Sequence, residues 1–340
     1  MTEIRGDDIR NNIERQPESL RQVRAHLRGA GATELESAAE LLAGRDRVIF
    51  TGMGGSLYAL MPAATYLAQH GILVNVLDAS ELLYYSDVPR NAAVVALSRS
   101  GRTAEVVRLT ESLKKRAIPV IALTNCPSST LAATADGLVQ VAGDLDHGVA
   151  LQTYTGGLLT GLALAAAVSG TLVQFQHDLA IALDVLESQM PVWWRMGGGW
   201  HWEERSHFFF LGRGYSVSSA CEATLLMQEL ARRTATWYNA AEFRQGPVEA
   251  LRRGHAVVLF SPDGETKHLN QSLAGDLAHT GAGVFQVGGE LGVPEYLAPL
   301  LQIIPIQMAA YAIAARDQET PGQFRFAAAV SEKEDGLAAG

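Results

Sequence analysis

The strongest constraint on this chain is a repeated alternation: a short run of consecutive apolar residues, a loop rich in glycine or serine, then a helical stretch. Arg47-Val48-Ile49-Phe50-Thr51 runs into Gly52-Met53-Gly54-Gly55-Ser56 and a helical pattern over Leu57–His70. Ile72–Leu77 is a second run. Ala92–Leu97 is a third, ending in Ser98-Arg99-Ser100-Gly101-Arg102-Thr103 before a helix carrying Val106, Val107, Leu109 and Leu113. Pro119–Leu123 and Leu138–Val141 complete five runs before residue 170. A strand that is apolar at every position has no solvated face, so it belongs in a parallel sheet covered by helices on both sides. The second half repeats the scheme. Phe208–Leu211 ends in Gly212-Arg213-Gly214, and a helix over Ser218–Arg232 follows. Then come Ala256–Phe260, a helix over Thr266–His279, Val284–Val287 and a last helix over Leu297–Arg316. The expected fold class is α/β, with two doubly wound parallel-sheet domains in tandem. A helical segment (1–30) with an apolar stripe from Ile9 to Leu27, broken at Pro17, precedes a first domain (31–175) and a second (195–330). Trp193–Arg205, with Gly197-Gly198-Gly199, is the expected joint.

Composition narrows the function classes. Of 340 residues, 48% are apolar and 19% charged, which supplies a core and excludes global disorder. A net charge of −9 argues against a general nucleic-acid binder. The two cysteines, Cys126 and Cys221, have no metal-ligand spacing, so neither a disulfide scaffold nor a cysteine zinc site is expected. No cofactor or metal is expected. A reducing, cytoplasmic setting fits, and no apolar signal-peptide core follows Met1. Val149–Gln176 contains no charge and is long enough to span a bilayer. Gly156, Gly157, Gly161, Gly170, Thr155, Thr160 and Ser169 dilute its apolar content, however, and it lacks flanking Lys or Arg. Leu297–Ala315 is similar but contains Pro299 and Pro305. Both read as core or interface helices, and no membrane partner is expected.

In open α/β sheets, ligands bind beyond the carboxyl ends of the strands. Two loops there stand out. Gly54-Gly55-Ser56 offers unhindered backbone N–H groups and a hydroxyl at a helix start. Ser98–Thr103 offers three hydroxyls, a glycine and two guanidinium groups at another. Helix N-termini attract anions through free N–H groups and the helix dipole. Together the loops form a cradle for one phosphate; taken singly, Ser56 and Thr103 serve equally well as helix N-caps. The glycine spacing for a dinucleotide is missing after Gly54, and there is no Gly-Lys-Ser/Thr phosphate loop. A nicotinamide oxidoreductase is therefore a weak reading.

Ser98-x-Ser100-Gly101-x-Thr103 matches the SxSGxT phosphosugar loop of SIS (sugar isomerase) domains, and Gly54-Gly55-Ser56 falls where these have a Gly-Thr-Ser loop. The chain resembles the tandem-SIS family, which includes the isomerase halves of glucosamine-6-phosphate synthases and stand-alone relatives. Four further segments match in order: Ile13–Pro17, Glu222–Glu229, Glu242–Pro247 and Pro305–Tyr311.

The resemblance implies a sugar-phosphate ligand. It implies that Gly54, Gly55 and Ser56 line the site and that Ser56, Ser98, Ser100 and Thr103 hold the phosphate, with Arg99 where relatives often have Gln. Val149 and Ala150 fall where relatives touch the sugar through backbone. Glu229 falls on the catalytic carboxylate that moves a proton between C1 and C2 through an enediol or enediolamine, sound chemistry for a carboxylate beside a carbonyl carbon. Glu222, Leu226 and Glu229 share one helix face; read without the resemblance, Glu229 is a solvated helix glutamate. The departures are specific. Leu226 stands for a family lysine. Gln245 stands for the ring-opening histidine and cannot titrate, although it can hydrogen-bond a ring oxygen. The synthase's C-terminal lysine is replaced by Phe326 or Ala329, with Lys333 slightly later. His147 and His268 offer imidazoles elsewhere, each reading as an exposed loop residue. Met1-Thr2 lacks the synthases' cysteine nucleophile, so ammonia transfer from glutamine is not expected. A homodimer with shared active sites is implied, because in relatives the turn at Glu242–Pro247 serves the neighbour's site. Two readings follow: a phosphosugar isomerase, or an amino-sugar or fructosamine phosphate deaminase or deglycase, with Glu229 as base; and a catalytically weak sugar-phosphate sensor.

Overall fold

The computed structural model describes residues 6–146, 148–200, 202–317, 319–327 and 331–336. Among the described residues, nine strands form two sheets. The first contains β1 (Arg47–Gly52), β2 (Val74–Asp78), β3 (Ala92–Leu97), β4 (Val120–Thr124) and β5 (Gly137–Gln140) in the order β2-β1-β3-β4-β5. The second contains β6 (His207–Gly212), β7 (Ala235–Asn239), β8 (His255–Phe260) and β9 (Gly283–Val287) in the order β7-β6-β8-β9. Every neighbouring pair is parallel. The chain is thus α/β with two parallel sheets. All residues of β3, β4 and β8 are buried, which is why their sequences show no polar alternation.

The chain divides into two compact units. Residues 15–177 join 324–340, and residues 1–14 join 178–323. On one face of the first sheet, Ile49, Val94 and Val120 pack with Val106, Leu109 and Leu113 from helix Ala104–Lys115. Helix Gln152–Val168 is buried from Gln152 to Ala166. Its glycines allow close approach: a Cβ on Gly157 would come within 2.9 Å of Leu97, and one on Gly161 within 3.0 Å of Leu60. In the second unit, Phe209, Leu211, Val257 and Leu259 pack with Leu273 and Leu277 of helix Lys267–Leu277. Trp202 is 2% exposed, with Phe208 and Phe285 at 5.6 Å between ring centroids. The segment Glu295–Arg316 is long and apolar enough to cross a membrane, yet 89% of its apolar window is buried within the fold.

Two local expectations differ. Ile72–Leu77 begins two residues late, at Val74; Leu73 before it is 55% exposed, and β2 is an edge strand, half-buried throughout. The expected joint is helical as far as Gly199, the end of helix Leu172–Gly199, and a short 3₁₀ turn follows over Trp202–Glu204. Burial of Trp193 and Met190 on that helix outweighs the weak helix propensity of the glycines.

Candidate functional site

Strand order places the two notable loops together. From β1 the chain moves outward to β2, and from β3 it moves the opposite way to β4. The loops leaving the carboxyl ends of β1 and β3 therefore diverge and open a crevice. One is Met53–Ser56 and the other Ser98–Thr103. Gly52 ends β1 in a tight place: a Cβ there would lie 3.0 Å from both Leu57 N and Leu97 O. Gly54 turns the chain with φ of +52° and precedes helix Gly55–Gln69.

The hydroxyl groups are not helix caps. Ser56 is the second residue of its helix, whose cap position is Gly54. Thr103 occupies a cap position but makes no side-chain cap bond. Its Oγ1 lies 3.1 Å from Ser98 Oγ, which also accepts from Gly101 N–H at 3.2 Å. Ser98 is 2% exposed. Ser100 Oγ accepts from Arg102 N–H at 3.2 Å. Gly101 allows this tight loop: its φ is +61°, and a Cβ would lie 2.0 Å from Ser129 Oγ. Thr124 Oγ1 donates to Arg99 O at 3.1 Å and Leu131 N–H to Gly101 O at 3.0 Å, tying the loop to β4 and to the helix start at Thr130.

Arg99 links the cradle to the segment expected to meet the sugar, since its Nη1 donates to Gly148 O at 3.0 Å. Val149 is buried and Ala150 half-buried just beyond. Asp146 holds this turn from beneath. Its carboxylate accepts from Leu151 N–H at 2.8 Å, Gln152 N–H at 2.9 Å, Thr153 N–H at 2.8 Å and Thr153 Oγ1 at 2.5 Å. It thereby caps helix Gln152–Val168 from a distance and complements the helix dipole. Desolvation pushes its carboxyl pKa above the usual range, against the pull of these donors. Sequence reasoning missed Asp146, and also Asn125, Thr153 and Tyr154, which line the narrow cleft with Gly55, Ser56, Arg99 and Ala150. Its free volume is about 20 Å³.

The two arginines of the loop part company. Arg99 lines the cleft, whereas Arg102 pairs with Glu332 at 2.8 Å. The C-terminal segment lies along helix Ala104–Lys115: Ala104 N–H donates to Ser331 O at 3.0 Å, Arg108 pairs with Glu334 at 2.7 Å, and the Tyr84 hydroxyl bonds Glu334. Lys333 lies between these anchors and is exposed, as is Phe326; Ala329 and His147 lie outside the described residues.

The remaining candidates belong to the second unit. Glu229 ends helix Val217–Glu229 and is half-buried, not fully solvated. On the same face, Leu226 is wholly buried and Glu222 is 1% exposed. Gln245 is exposed in the turn after Phe243, where its N–H donates to Glu242 O at 2.8 Å and Gly246 has φ of +146°. His268 is exposed near the start of helix Lys267–Leu277.

The second sheet has its own divergence, between β6 and β8, and the loops there meet a carboxylate of the same unit. A Cβ on Gly264 would lie 2.3 Å from Glu295 Oε2, and one on Gly214 3.7 Å from Glu295 Oε1. Burial, then the nearby Glu265, raise the pKa of Glu295.

The SIS domain family model matches residues 41–168 and 202–285, which together make up more than half of the chain. The chain belongs to the SIS domain family. The chain is similar to glutamine–fructose-6-phosphate aminotransferase (isomerizing) of Pyrococcus horikoshii, at 29% identity over 315 residues, covering 86% of this chain and 52% of that protein. The chain thus spans about half the length of the curated relatives it matches. Among solved structures, glucosamine-6-phosphate deaminase of Thermotoga maritima has the same fold, with a TM-score of 0.82 at 21% identity over 95% of this chain and 99% of that one. Tagatose-6-phosphate ketose/aldose isomerase of Escherichia coli superposes with a TM-score of 0.77 at 19% identity, covering 92% and 94%.

Proposed function

We propose that this SIS protein binds a sugar phosphate in the crevice between β1 and β3 and acts on it as an isomerase, or as a deaminase or deglycase of an amino-sugar or fructosamine phosphate. The observation that carries the reading is the pair Ser98 Oγ and Thr103 Oγ1, 3.1 Å apart and free of capping duty at a helix start. Hydroxyls of this kind supply neutral donors to a phosphate, and the helix N-terminus and Arg99 supply positive potential. The narrow cleft beside this pair is lined by Ser56 and Arg99, and Ser98, Ser100 and Thr103 are not among its described lining residues.

In this reading Ser56, Ser98, Ser100 and Thr103 hold the phosphate. Gly54 and Gly55 let the backbone approach, and Val149 and Ala150 contact the sugar through main-chain groups. Glu229 takes a proton from one of C1 and C2 and returns it to the other. Gln245 hydrogen-bonds the ring oxygen without shuttling a proton, which favours acyclic or ring-opened substrates. The active unit is a homodimer in the cytoplasm. The names of the relatives, an aminotransferase, a deaminase and an isomerase of hexose phosphates, support the substrate class.

The test is turnover and binding of fructose 6-phosphate and glucosamine 6-phosphate by the wild type, Glu229→Gln and Ser100→Ala. Glu229→Gln should abolish turnover with affinity nearly intact. Ser100→Ala should weaken affinity ten-fold or more, because a hydrogen bond to a charged group contributes about 1.5–3 kcal/mol. Full activity in Glu229→Gln refutes the base; unchanged affinity in Ser100→Ala refutes the cradle. One observation favours the sensor reading: Leu226, at the family's lysine position, is 0% exposed and apolar. Binding of several sugar phosphates with no turnover would establish it.

A further inference from the structure

Beyond the carboxyl ends of β8 and β9 lies a cavity of about 350 Å³, wholly within the second unit. Its walls are Ser261, the loop after β9, and faces of helices Lys267–Leu277, Ala298–Arg316 and Leu172–Gly199. Its size is that of a small-molecule site, which usually spans about 300–1,000 Å³. No residue of the crevice between β1 and β3 contributes to it.

One wall carries an unfinished hydrogen bond. Gln302 is 0% exposed inside helix Ala298–Arg316. Its Oε1 accepts from Ser219 Oγ at 2.8 Å, and its Nε2 has no partner. Turning the amide over exchanges the two atoms and still leaves one end unmatched. That end lies against Gly288, where a Cβ would stand 2.7 Å from Nε2, and both residues line the cavity. Buried amide groups are nearly always paired, so an unmatched amide end in the wall of a cavity marks a place for a ligand.

The other walls define the chemistry. Trp193 and Trp200 present aromatic surface, and Gln271 and Gln286 present further carboxamides, each both donor and acceptor. The lining cation, Lys267, pairs with Asp263 at 2.7 Å and also feels the charge of Glu290 on the opposite loop. Two carboxylates around one ammonium leave no surplus positive charge for a phosphate. Carboxamides that bridge adjacent hydroxyls, beside indole rings that cover C–H faces, suit a polyhydroxylated ring.

We propose that this cavity is a second ligand site, for an unphosphorylated hexose or hexosamine, built from the amide of Gln302, the carboxamides of Gln271 and Gln286, and the indoles of Trp193 and Trp200. It is separate from the proposed sugar-phosphate crevice and does not depend on that reading.

The test uses the full chain with glucose, glucosamine and N-acetylglucosamine, followed by calorimetry and tryptophan emission. Inorganic phosphate and glucose 6-phosphate serve as controls. At least one of the three sugars should bind saturably and change the emission. Gln271→Ala, on an exposed helix position, and Trp200→Ala should each weaken that binding ten-fold or more, and Ser100→Ala should leave it unchanged. The proposal is overturned if none of the three binds saturably. It is also overturned if Ser100→Ala abolishes binding while Gln271→Ala does not, because the sugar then occupies the first crevice. Saturable inorganic phosphate binding that Lys267→Ala removes and Ser100→Ala does not would reassign the cavity to an anion.

Discussion

Replacing Gly101 by alanine tests the structural basis of the proposed phosphate cradle. At φ of +61°, an alanine gives up about 1–2 kcal/mol of backbone energy relative to an allowed conformation. Its Cβ would also lie 2.0 Å from Ser129 Oγ and 2.4 Å from Ser129 Cβ, so either the loop or the start of helix Thr130–Thr134 must move. Overpacking of this kind costs about 1–3 kcal/mol. The single variant should therefore lose roughly 2–5 kcal/mol of stability. Ser129→Gly alone removes the side-chain cap that accepts from Ala132 N–H at 3.4 Å, a loss of a few tenths of a kcal/mol for glycine at a cap. In the double variant the clash is gone and the backbone strain remains. The coupling between the two sites should recover about 1–3 kcal/mol. Urea denaturation of the wild type, both single variants and the double variant measures it, with sugar-phosphate affinity recorded alongside. The double variant should regain much of the affinity that Gly101→Ala loses, because Ser98 and Thr103 return to each other. Additivity within about 0.5 kcal/mol would refute the contact between Gly101 and Ser129 as the restraint on the loop.

Three further outcomes are expected. His207 and His255 begin β6 and β8 as register partners, and burial holds both imidazoles below their ordinary pKa, assisted by His255 for the first and Arg252 for the second. Their contribution to stability is present above the unfolded value of about 6.5 and is lost as pH falls below it. Thermal melts between pH 7.5 and about 5.5 should show a decline that His207→Gln/His255→Gln flattens, and an identical slope in that variant would contradict the assignment. Burial pushes the Cys221 thiol far above its usual pKa, whereas Cys126 is half-buried, so a thiol reagent should label Cys126 in the native protein and Cys221 only after unfolding. Light scattering at micromolar concentration should give twice the mass of the chain; a monomer would contradict the proposed dimer.

Much of the fold was legible because of where its strands lie. β3, β4 and β8 are buried along their whole length, so each carries a run of consecutive apolar residues with no polar alternation. The edge strand β2 is half-buried throughout, and the start expected for it was two residues early. Gly197-Gly198-Gly199 reads as a linker by composition, but it ends a helix whose preceding turns bury Met190 and Trp193. The two loops of the crevice were visible as residue types at strand ends. What local sequence does not carry is the support beneath them. Asp146 reaches helix Gln152–Val168 from six residues before its first residue, farther than a capping pattern extends. Arg102 is taken by Glu332, a pairing between residues 230 positions apart.

The two sheets show why topology alone does not make a binding site. In each, neighbouring strands send their chains to opposite sides, β1 and β3 in the first and β6 and β8 in the second, so each provides a divergence of the kind at which α/β proteins bind ligands. What fills the divergence differs. Between β1 and β3 the cleft is lined by glycine, hydroxyl, amide and guanidinium groups beside apolar Ala59, Leu97 and Ala150, with no carboxylate among its described lining residues. Between β6 and β8 the loops close on Glu295, with Glu265 near enough to raise its pKa. A phosphate entering there would meet one carboxylate in contact and a second close by, in partly desolvated surroundings where like charges repel more strongly than in water. The side chain of Arg213, which follows β6, is already engaged by Asn270 at 3.0 Å. The same backbone arrangement thus carries hydroxyl groups and Arg99 at the strand ends of one unit and Glu295 beside the Arg213–Asn270 pair at those of the other, so the difference rests on a few side chains.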